Sequence, residues 1–234
     1  MTTPSDVVKS QLRKLVERYK SGAHAPEEEA VRELIIELDH QFPDDIGVFC
    51  VYLLNVVNLQ PGEAIFLGAG EPHAYVAGGK AYGDYFYIIS LILVLDIVET
   101  MATSDNVLRA GLTPKTRDVP NLVSSLTYHA SPPSAHIVTA APFSRGSDLT
   151  KLYNPPIPEF AVLMTHISGG GKETHDSLEG PSILIVTEGK GRVAWPAGEP
   201  LGVMEGSVLF VGANTQVTFD ASEEMTVFRA FVEA

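Results

Sequence analysis

The sequence predicts a mainly β protein that begins with a helical segment, and three observations lead to this fold class. Apolar residues recur at helical spacing before Pro43. From Val48 onward the chain changes to short apolar runs separated by Gly, Pro and Asn, which is typical of antiparallel strands. Towards the C-terminus, glycine turns join such runs in the manner of β-hairpins. The helical and β parts are therefore predicted to meet between Pro43 and Gly47.

Two helices are predicted before this boundary. The first follows Pro4 and stops at Gly22. The second begins at Pro26 with an acidic first turn, which suits the positive end of a helix dipole, and stops before Pro43. Their buried stripes are predicted to be Val8, Leu12, Leu15, Val16 and Tyr19 in the first helix, and Val31, Leu34, Ile35 and Leu38 in the second.

The C-terminal part is predicted to form hairpins from strands at 183–186, 192–195 and 207–211, with a glycine turn at 188–191. A short helix is predicted within 120–128. Residues 62–69 (GEAIFLGA) resemble residues 206–213 (GSVLFVGA), which indicates two related β modules. The predicted regions are a helical segment at 1–46, a first β module with the site residues at 47–140, and a C-terminal β module at 141–234.

Charge and cysteine usage exclude some classes of function. With 16 basic and 29 acidic residues the formal net charge is −13, so binding to nucleic acid or to an anionic membrane surface is not expected. A small anionic ligand would need locally placed Lys or Arg. The single cysteine, Cys50, is expected in the core, and it favours a reducing compartment. The first 20 residues lack the apolar stretch of a signal peptide, so a cytoplasmic location is expected.

His73 is the candidate metal ligand. It follows Pro72 at the end of a predicted strand, and this pattern resembles a cupin, a jelly-roll-like double-stranded β-helix in which such a histidine faces the barrel mouth. A neutral imidazole there is a good ligand for zinc or iron, whereas the alternative is a histidine that only caps its strand. The second module has no histidine at the equivalent place. His166 and His175 flank a glycine run in that module, and we interpret this stretch as a loop without a metal site.

Three longer segments make the resemblance more specific: residues 54–64 (LNVVNLQPGEA), 71–75 (EPHAY) and 99–115 (ETMATSDNVLRAGLTPK). They resemble the type I phosphomannose isomerase family, and the resemblance covers nearly the whole chain. It implies a zinc enzyme that interconverts mannose 6-phosphate and fructose 6-phosphate and supplies precursors of GDP-mannose. It also implies a metal ligand at His73, a catalytic arginine at Arg109, and a small phosphosugar substrate. The same resemblance suggests a pocket lined by Lys115, Glu99, Asp105 and Asn106.

The chain departs from the family pattern in two ways. The family's other zinc ligands lie in an upstream region that is expected to be missing here, and one imidazole does not hold zinc tightly. Tyr85–Leu95 is interpreted as an insertion, which would be a buried strand, an exposed segment that promotes self-association, or a translated intron. Two functions therefore stay open: a partial isomerase, and a catalytically inactive cupin module that binds a sugar phosphate or a protein partner.

Overall fold

The computed structural model describes residues 1–76, 97–104 and 107–233. The chain divides into two compact units. The first comprises Met1–Gln60, Leu67–Asp96 and Ser104–His136, and the second comprises Pro61–Phe66, Ile97–Thr103 and Ile137–Ala234. The predicted insertion Tyr85–Leu95 lies outside the described residues, as do Asp105 and Asn106.

The first unit contains the predicted helices. Helix α1 is Ser5–Lys20, α2 is Glu29–Gln41 and α3 is Val119–Ser125, with 3-10 helices at Pro26–Glu28, Ile46–Tyr52 and Pro133–Ala135. In α1 the buried residues recur three or four positions apart and form one stripe, as predicted: Val8, Leu12, Val16 and Tyr19. Leu12, Val16 and Tyr19 pack with the buried stripe of α2 and with Val48 and Val51. Each fully buried aliphatic side chain of this kind contributes about 1.5–3 kcal/mol to folding.

The acidic first turn before α2 forms an ion pair with α1. Both carboxylate oxygens of Glu28 accept hydrogen bonds at 2.6 Å from the guanidinium of Arg18, and the Ala25 N–H donates to the same carboxylate at 2.8 Å. The hydrogen bonds from Arg18 have the largest effect, the bond from Ala25 adds to it, and together they lower the pKa of Glu28 to about 2. The acidic turn therefore links the two helices through an ion pair, in addition to its favourable position at the positive end of the helix dipole.

The strands lie in the second unit. They are β1 Ala64–Ile65, β2 Ile137–Val138, β3 Ala141–Pro142, β4 Thr150–Tyr153, β5 Ala161–Ile167, β6 Lys172–His175, β7 Ser182–Glu188, β8 Lys190–Ala194, β9 Leu201–Met204, β10 Val208–Val211, β11 Val217–Ala221 and β12 Met225–Phe231. One sheet has the order β10-β7-β12-β5-β4-β3, another has the order β6-β11-β8-β9, and β1 pairs with β2. All of these pairs are antiparallel.

The two larger sheets enclose one apolar core. Leu184 and Val227 from one sheet belong to the same buried cluster as Val193 and Phe219 from the other. Buried and exposed residues alternate along β7 because successive side chains point to opposite faces of a strand. This sandwich confirms the prediction of a mainly β protein of cupin type with an N-terminal helical segment.

The predicted repeat has a matching turn in each copy. Gly62 and Gly206 both adopt left-handed backbone, with φ of 83° and 82°, and each precedes a strand, β1 and β10 respectively. Glycine suits this conformation because it has no Cβ to clash with the neighbouring carbonyl. In the first copy the hydroxyl of Tyr153 donates a hydrogen bond to the carbonyl oxygen of Gly62 at 2.5 Å.

The expectation that Cys50 lies in the core holds only in part. Cys50 is a half-buried free thiol whose pKa is raised by burial. No helix in residues 1–76, 97–104 and 107–233 is long and apolar enough to cross a membrane.

Candidate active-site residues

His73 lies in a loop of the first unit that is anchored to the segment after α3. The backbone N–H of Glu71 donates to the Gly68 carbonyl at 3.2 Å, and that of Thr127 donates to the Gly70 carbonyl at 3.4 Å. The hydroxyl of Thr127 also donates to the Glu71 carboxylate at 2.5 Å. The loop that carries His73 therefore has a defined backbone, although the imidazole itself is exposed.

The hydrogen bond of the His73 ring defines its tautomer. Nδ1 lies 2.8 Å from the carbonyl oxygen of Glu71, which can only accept, so Nδ1 carries the proton. The lone pair of the neutral ring is then on Nε2. A metal-binding imidazole is commonly held in this way, with one nitrogen bonded to a backbone carbonyl and the other left for the metal. His73 thus fits the role of a metal ligand.

Arg109 lies in the same unit and is half-buried. The backbone that follows it is held by a carboxylate, because Asp45 accepts hydrogen bonds from the N–H groups of Leu112 at 3.0 Å and Thr113 at 3.5 Å. Lys115 is exposed, and its N–H donates to the hydroxyl of Thr113 at 3.2 Å. Asp45 was not predicted from the sequence, although Asp-Ile-Gly after Pro43 is a recognisable turn pattern.

The roles of the remaining predicted site residues stay predictions. Glu99 is exposed and belongs to the second unit. Asp105 and Asn106 lie outside the described residues. Within the described part of the chain, no hydrogen bond or ion pair joins the side chains of His73, Arg109 and Lys115.

The donor set does not complete a zinc site. His73 offers one imidazole nitrogen, and in the described ranges no group of three or more His, Cys, Asp or Glu side chains could hold a metal ion. The carboxylate of Glu71 is engaged by Thr127. A catalytic zinc ion usually has three protein ligands, so His73 alone fits one position of such a site and not the whole of it.

A buried polar cluster in the second unit was not predicted. It consists of Glu173, His175 and Arg229 with the hydroxyl groups of Thr150 and Thr165, and all five residues are buried. The interpretation of the glycine run with its two flanking histidines as a loop was wrong for His175. That residue ends strand β6 and its side chain is fully buried, because β6 pairs with β11 and turns His175 towards Phe219 and Phe143.

Hydrogen bonds define the protonation states in this cluster. The Arg229 guanidinium donates to His175 Nδ1 at 3.4 Å, so the proton of the neutral ring lies on Nε2. Nε2 is 3.0 Å from the hydroxyl oxygen of Thr150 and 3.1 Å from that of Thr165. Burial, followed by the charge of Arg229, lowers the pKa of His175 to about 4, so the ring is neutral at pH 7. The 3.9 Å approach of Nε2 to Glu173 is therefore not an ion pair at that pH.

Glu173 and Arg229 carry the charges of the cluster. Burial by itself would raise the pKa of Glu173, but hydrogen bonds from Ser147 at 2.6 and 2.8 Å and from Thr150 at 2.7 Å outweigh it and lower that pKa. Burial lowers the pKa of Arg229 to about 10, which leaves the guanidinium charged at neutral pH. Its Nε donates to Ser182 at 2.9 Å. Because every member has partners, we interpret this cluster as part of the folded core and not as a catalytic site.

Two models of one protein family match this chain, one near its N-terminus and one in its C-terminal half. Residues 1–54 match the family model "Phosphomannose isomerase type I, helical insertion domain", and residues 151–195 match "Phosphomannose isomerase type I C-terminal". Mannose-6-phosphate isomerase of Cryptococcus neoformans is 46% identical over 235 residues, which covers 100% of this chain and 50% of the relative. That of Saccharomyces cerevisiae is 43% identical over 238 residues, covering 100% and 51%. The chain thus spans about half the length of the curated relatives it matches.

Solved structures show the same fold. A crystal structure of a mutant phosphomannose isomerase from Salmonella typhimurium has a TM-score of 0.71 and 26% identity, covering 97% of this chain and 51% of that one. The Salmonella enzyme described as bound to fructose 6-phosphate and zinc has a TM-score of 0.70 and 27% identity, covering 95% and 49%. By its match to two models of the family and its identity to these relatives over its whole length, the chain belongs to the type I phosphomannose isomerase family.

Proposed function

We propose that this chain supplies the His73 and Arg109 side of a mannose-6-phosphate isomerase pocket. The observation that supports this most directly is the tautomer of His73. Its Nδ1–H donates a hydrogen bond to the backbone carbonyl of Glu71, and its Nε2 is left for a metal. The relatives that match the whole chain are named mannose-6-phosphate isomerase, and a Salmonella neighbour is described with fructose 6-phosphate and zinc bound. The proposed substrates are accordingly mannose 6-phosphate and fructose 6-phosphate.

The proposed chemistry needs a fixed cation at Arg109. Conversion of an aldose into a ketose moves a proton between C1 and C2 through an enediol, and negative charge develops on the sugar oxygens during this transfer. A guanidinium remains charged throughout the physiological pH range and stabilises such charge when it is already in place. Lys115 is proposed to pair with the substrate phosphate. Glu99, Asp105 and Asn106 are proposed to line the pocket.

Zinc in this pocket would need ligands beyond His73. When bound, zinc supplies a Lewis acid that polarises a substrate oxygen. We place its other ligands in the half of the relatives' length that this chain does not match. We also propose a cytoplasmic location and a role in the supply of GDP-mannose precursors.

A second candidate is a catalytically inactive cupin module that binds a sugar phosphate or a protein partner. The absence, among the described residues, of any group of three or more side chains that could hold a metal ion favours it. Self-association through Tyr85–Leu95 stays a prediction under either function, and a sedimentation coefficient that rises with protein concentration would support it.

One experiment separates the two candidates. The purified chain is assayed with mannose 6-phosphate in a coupled reaction while its zinc content is measured. Zinc near one per chain, with turnover that falls about 10²- to 10³-fold in Arg109→Ala, supports the isomerase. The exposed arginine of β8 provides the matched control, because Arg192→Ala should leave turnover unchanged. Zinc-free protein without turnover, whose binding of fructose 6-phosphate is unchanged in Arg109→Ala, would instead support the inactive module.

A further inference from the structure

One carboxylate in the first unit connects the helical segment to the residues that follow Arg109. Asp45 Oδ1 accepts hydrogen bonds from the N–H of Gly47 at 2.6 Å and from the N–H of Leu112 at 3.0 Å. Its Oδ2 accepts from the N–H of Thr113 at 3.5 Å. The side chain is only 15% exposed, and the guanidinium of Arg117 lies 4.0 Å from Oδ1. Asp45 therefore binds two backbone segments that are far apart in sequence.

The two segments also touch directly through glycines. A Cβ placed on Gly47 would lie 2.6 Å from the Leu112 nitrogen, and one placed on Gly111 would lie 2.5 Å from the Gly47 Cα. Such separations are too short for a side chain, so the two backbones approach as closely as glycine permits. The carboxylate and the glycine contact act at the same point, two residues beyond Arg109.

The backbone at this point adopts a conformation that needs support. Leu112 has a φ of 53°, in the left-handed region that a leucine rarely adopts. The N–H of this residue is the one that donates to Asp45 at 3.0 Å. The hydrogen bond to a charged acceptor offsets the free-energy cost of this left-handed conformation and holds the turn in one arrangement.

The neighbouring carboxylate has a different role. Asp44 contacts the side chains of Lys9 at 3.5 Å and Arg13 at 3.3 Å, both on helix α1. These are ion pairs of the surface, and they contribute little to stability. Asp44 thus offers a matched control, because it is adjacent in sequence and has the same charge but contacts other partners.

We infer that Asp45 is a positioning residue for Arg109, acting through the backbone of residues 111–113 and not by contact with substrate. The inference rests on the proposed catalytic role of Arg109. A cation stabilises developing charge only when it is held close to its productive place, and the turn that follows Arg109 is what Asp45 fixes. Without this carboxylate the guanidinium would sample several positions.

The test compares Asp45→Ala, Asp45→Asn and Asp44→Asn in the full chain; asparagine is chosen at residue 44 because its φ of 65° is one that asparagine tolerates better than alanine. Amide hydrogen exchange at Leu112 and Thr113 reports the backbone, and the rate at which phenylglyoxal modifies Arg109, followed by mass spectrometry, reports the side chain. In Asp45→Ala we expect exchange at both amides to rise about 10- to 100-fold, as for loss of a hydrogen bond to a charged group, together with a changed Arg109 modification rate. Asp44→Asn should match the unmodified chain in both measurements.

The conservative variant separates positioning from general stability. Asp45→Asn keeps an oxygen that can accept from Gly47 and Leu112, but its amide nitrogen cannot accept from Thr113. It should therefore restore slow exchange at Leu112 and leave exchange at Thr113 fast. This pattern would support the inference even if Asp45→Ala did not fold.

Two results would overturn the inference: exchange at Leu112 and Thr113 that is unchanged in both Asp45 variants, or an Arg109 modification rate that is unchanged while exchange rises. Where the protein turns over, Asp45→Ala should lower kcat more than it raises KM, and an equal kcat would also contradict positioning. Failure of the proposed function gives a different result. Turnover would then be absent or insensitive to Arg109→Ala, while the effects of Asp45→Ala on exchange and modification persist.

Discussion

The guanidinium of Arg229 and Nδ1 of His175 lie 3.4 Å apart inside the second unit, and this contact fixes the ring of His175 as a neutral acceptor. A charged arginine beside a buried imidazole opposes its protonation, because two like charges in a poorly solvated interior repel strongly. The same contact leaves Nε2 as the donor to Thr150 and Thr165. Stability of the second unit should therefore depend on pH through His175.

We predict that the free energy of unfolding falls as the pH falls from 6.5 to about 4. The pKa of His175 is lowered from 6.5 to about 4 in the folded chain, so between these values the unfolded chain binds a proton that the folded chain does not. The loss should reach at most about 3 kcal/mol across this window. Protonation of Glu173, whose pKa is lowered by its hydrogen bonds to Ser147 and Thr150, adds a further loss in acid.

Urea unfolding followed by the fluorescence of Trp195, the single tryptophan and a residue of the second unit, measures this dependence. His175→Gln should flatten it between pH 4 and 6.5. His166→Gln should leave it unchanged, because that side chain is 48% exposed. A slope that survives in His175→Gln would show that another group is responsible.

Thr150→Val should destabilise the second unit by about 1–3 kcal/mol, because it removes two hydrogen bonds of the buried cluster, one of them to the charged carboxylate of Glu173. The Thr150 hydroxyl lies 2.7 Å from Glu173 Oε1 and 3.0 Å from His175 Nε2, and valine of similar size replaces neither bond. Thr174→Val on β6 is the control, since Thr174 is exposed and should change stability by less than about 0.5 kcal/mol. Equal urea midpoints for the two variants would contradict this prediction.

Gly111→Ala should destabilise the first unit by roughly 1–3 kcal/mol, because its Cβ would lie 2.5 Å from the Gly47 Cα and the backbones must separate. Helical circular dichroism during urea unfolding measures this, since the α-helices belong to that unit. Gly202→Ala is the matched control, because a Cβ there meets nothing within 4 Å. If the two variants had the same unfolding midpoint, the close contact of Gly47 and Gly111 would not be part of the folded chain.

Zinc added to the purified chain should shift the ¹⁵N resonance of His73 Nε2 more than that of Nδ1, because only Nε2 has a lone pair to offer. His136 is the internal control, since its Nε2 lies 2.7 Å from the hydroxyl of Ser131 and is already hydrogen-bonded. A larger shift at His136 than at His73 would count against His73 as a metal ligand.

Much of the fold could be predicted because local patterns carry it. The helical spacing of Val8, Leu12 and Val16 predicts the buried face of α1, and the glycine turn at 188–191 predicts the break between β7 and β8. These features depend on residues that are neighbours in the chain. The predicted hairpin of these two strands is wrong, because β7 and β8 lie in different sheets. Strand order and the partner of β6 could not be read in this way, because strand pairing joins segments that are distant in sequence.

The site could be predicted only in part. The strand-end pattern and the family resemblance singled out His73, the resemblance alone singled out Arg109, and both lie in the first unit, whereas Glu99 belongs to the second. Neither Asp45 nor the cluster of His175 and Arg229 was predicted, because each depends on contacts between segments that lie far apart in the chain.

The sequence by itself determined the fold class, the helices and the family resemblance, since these depend on periodicity and on short motifs. The tertiary structure decided which carboxylate holds the turn beyond Arg109, which nitrogen of His73 carries the proton, and that His175 is buried and not in a loop. The reason is physical. Burial and hydrogen-bond partners set protonation and position, and both exist only once distant segments have packed together.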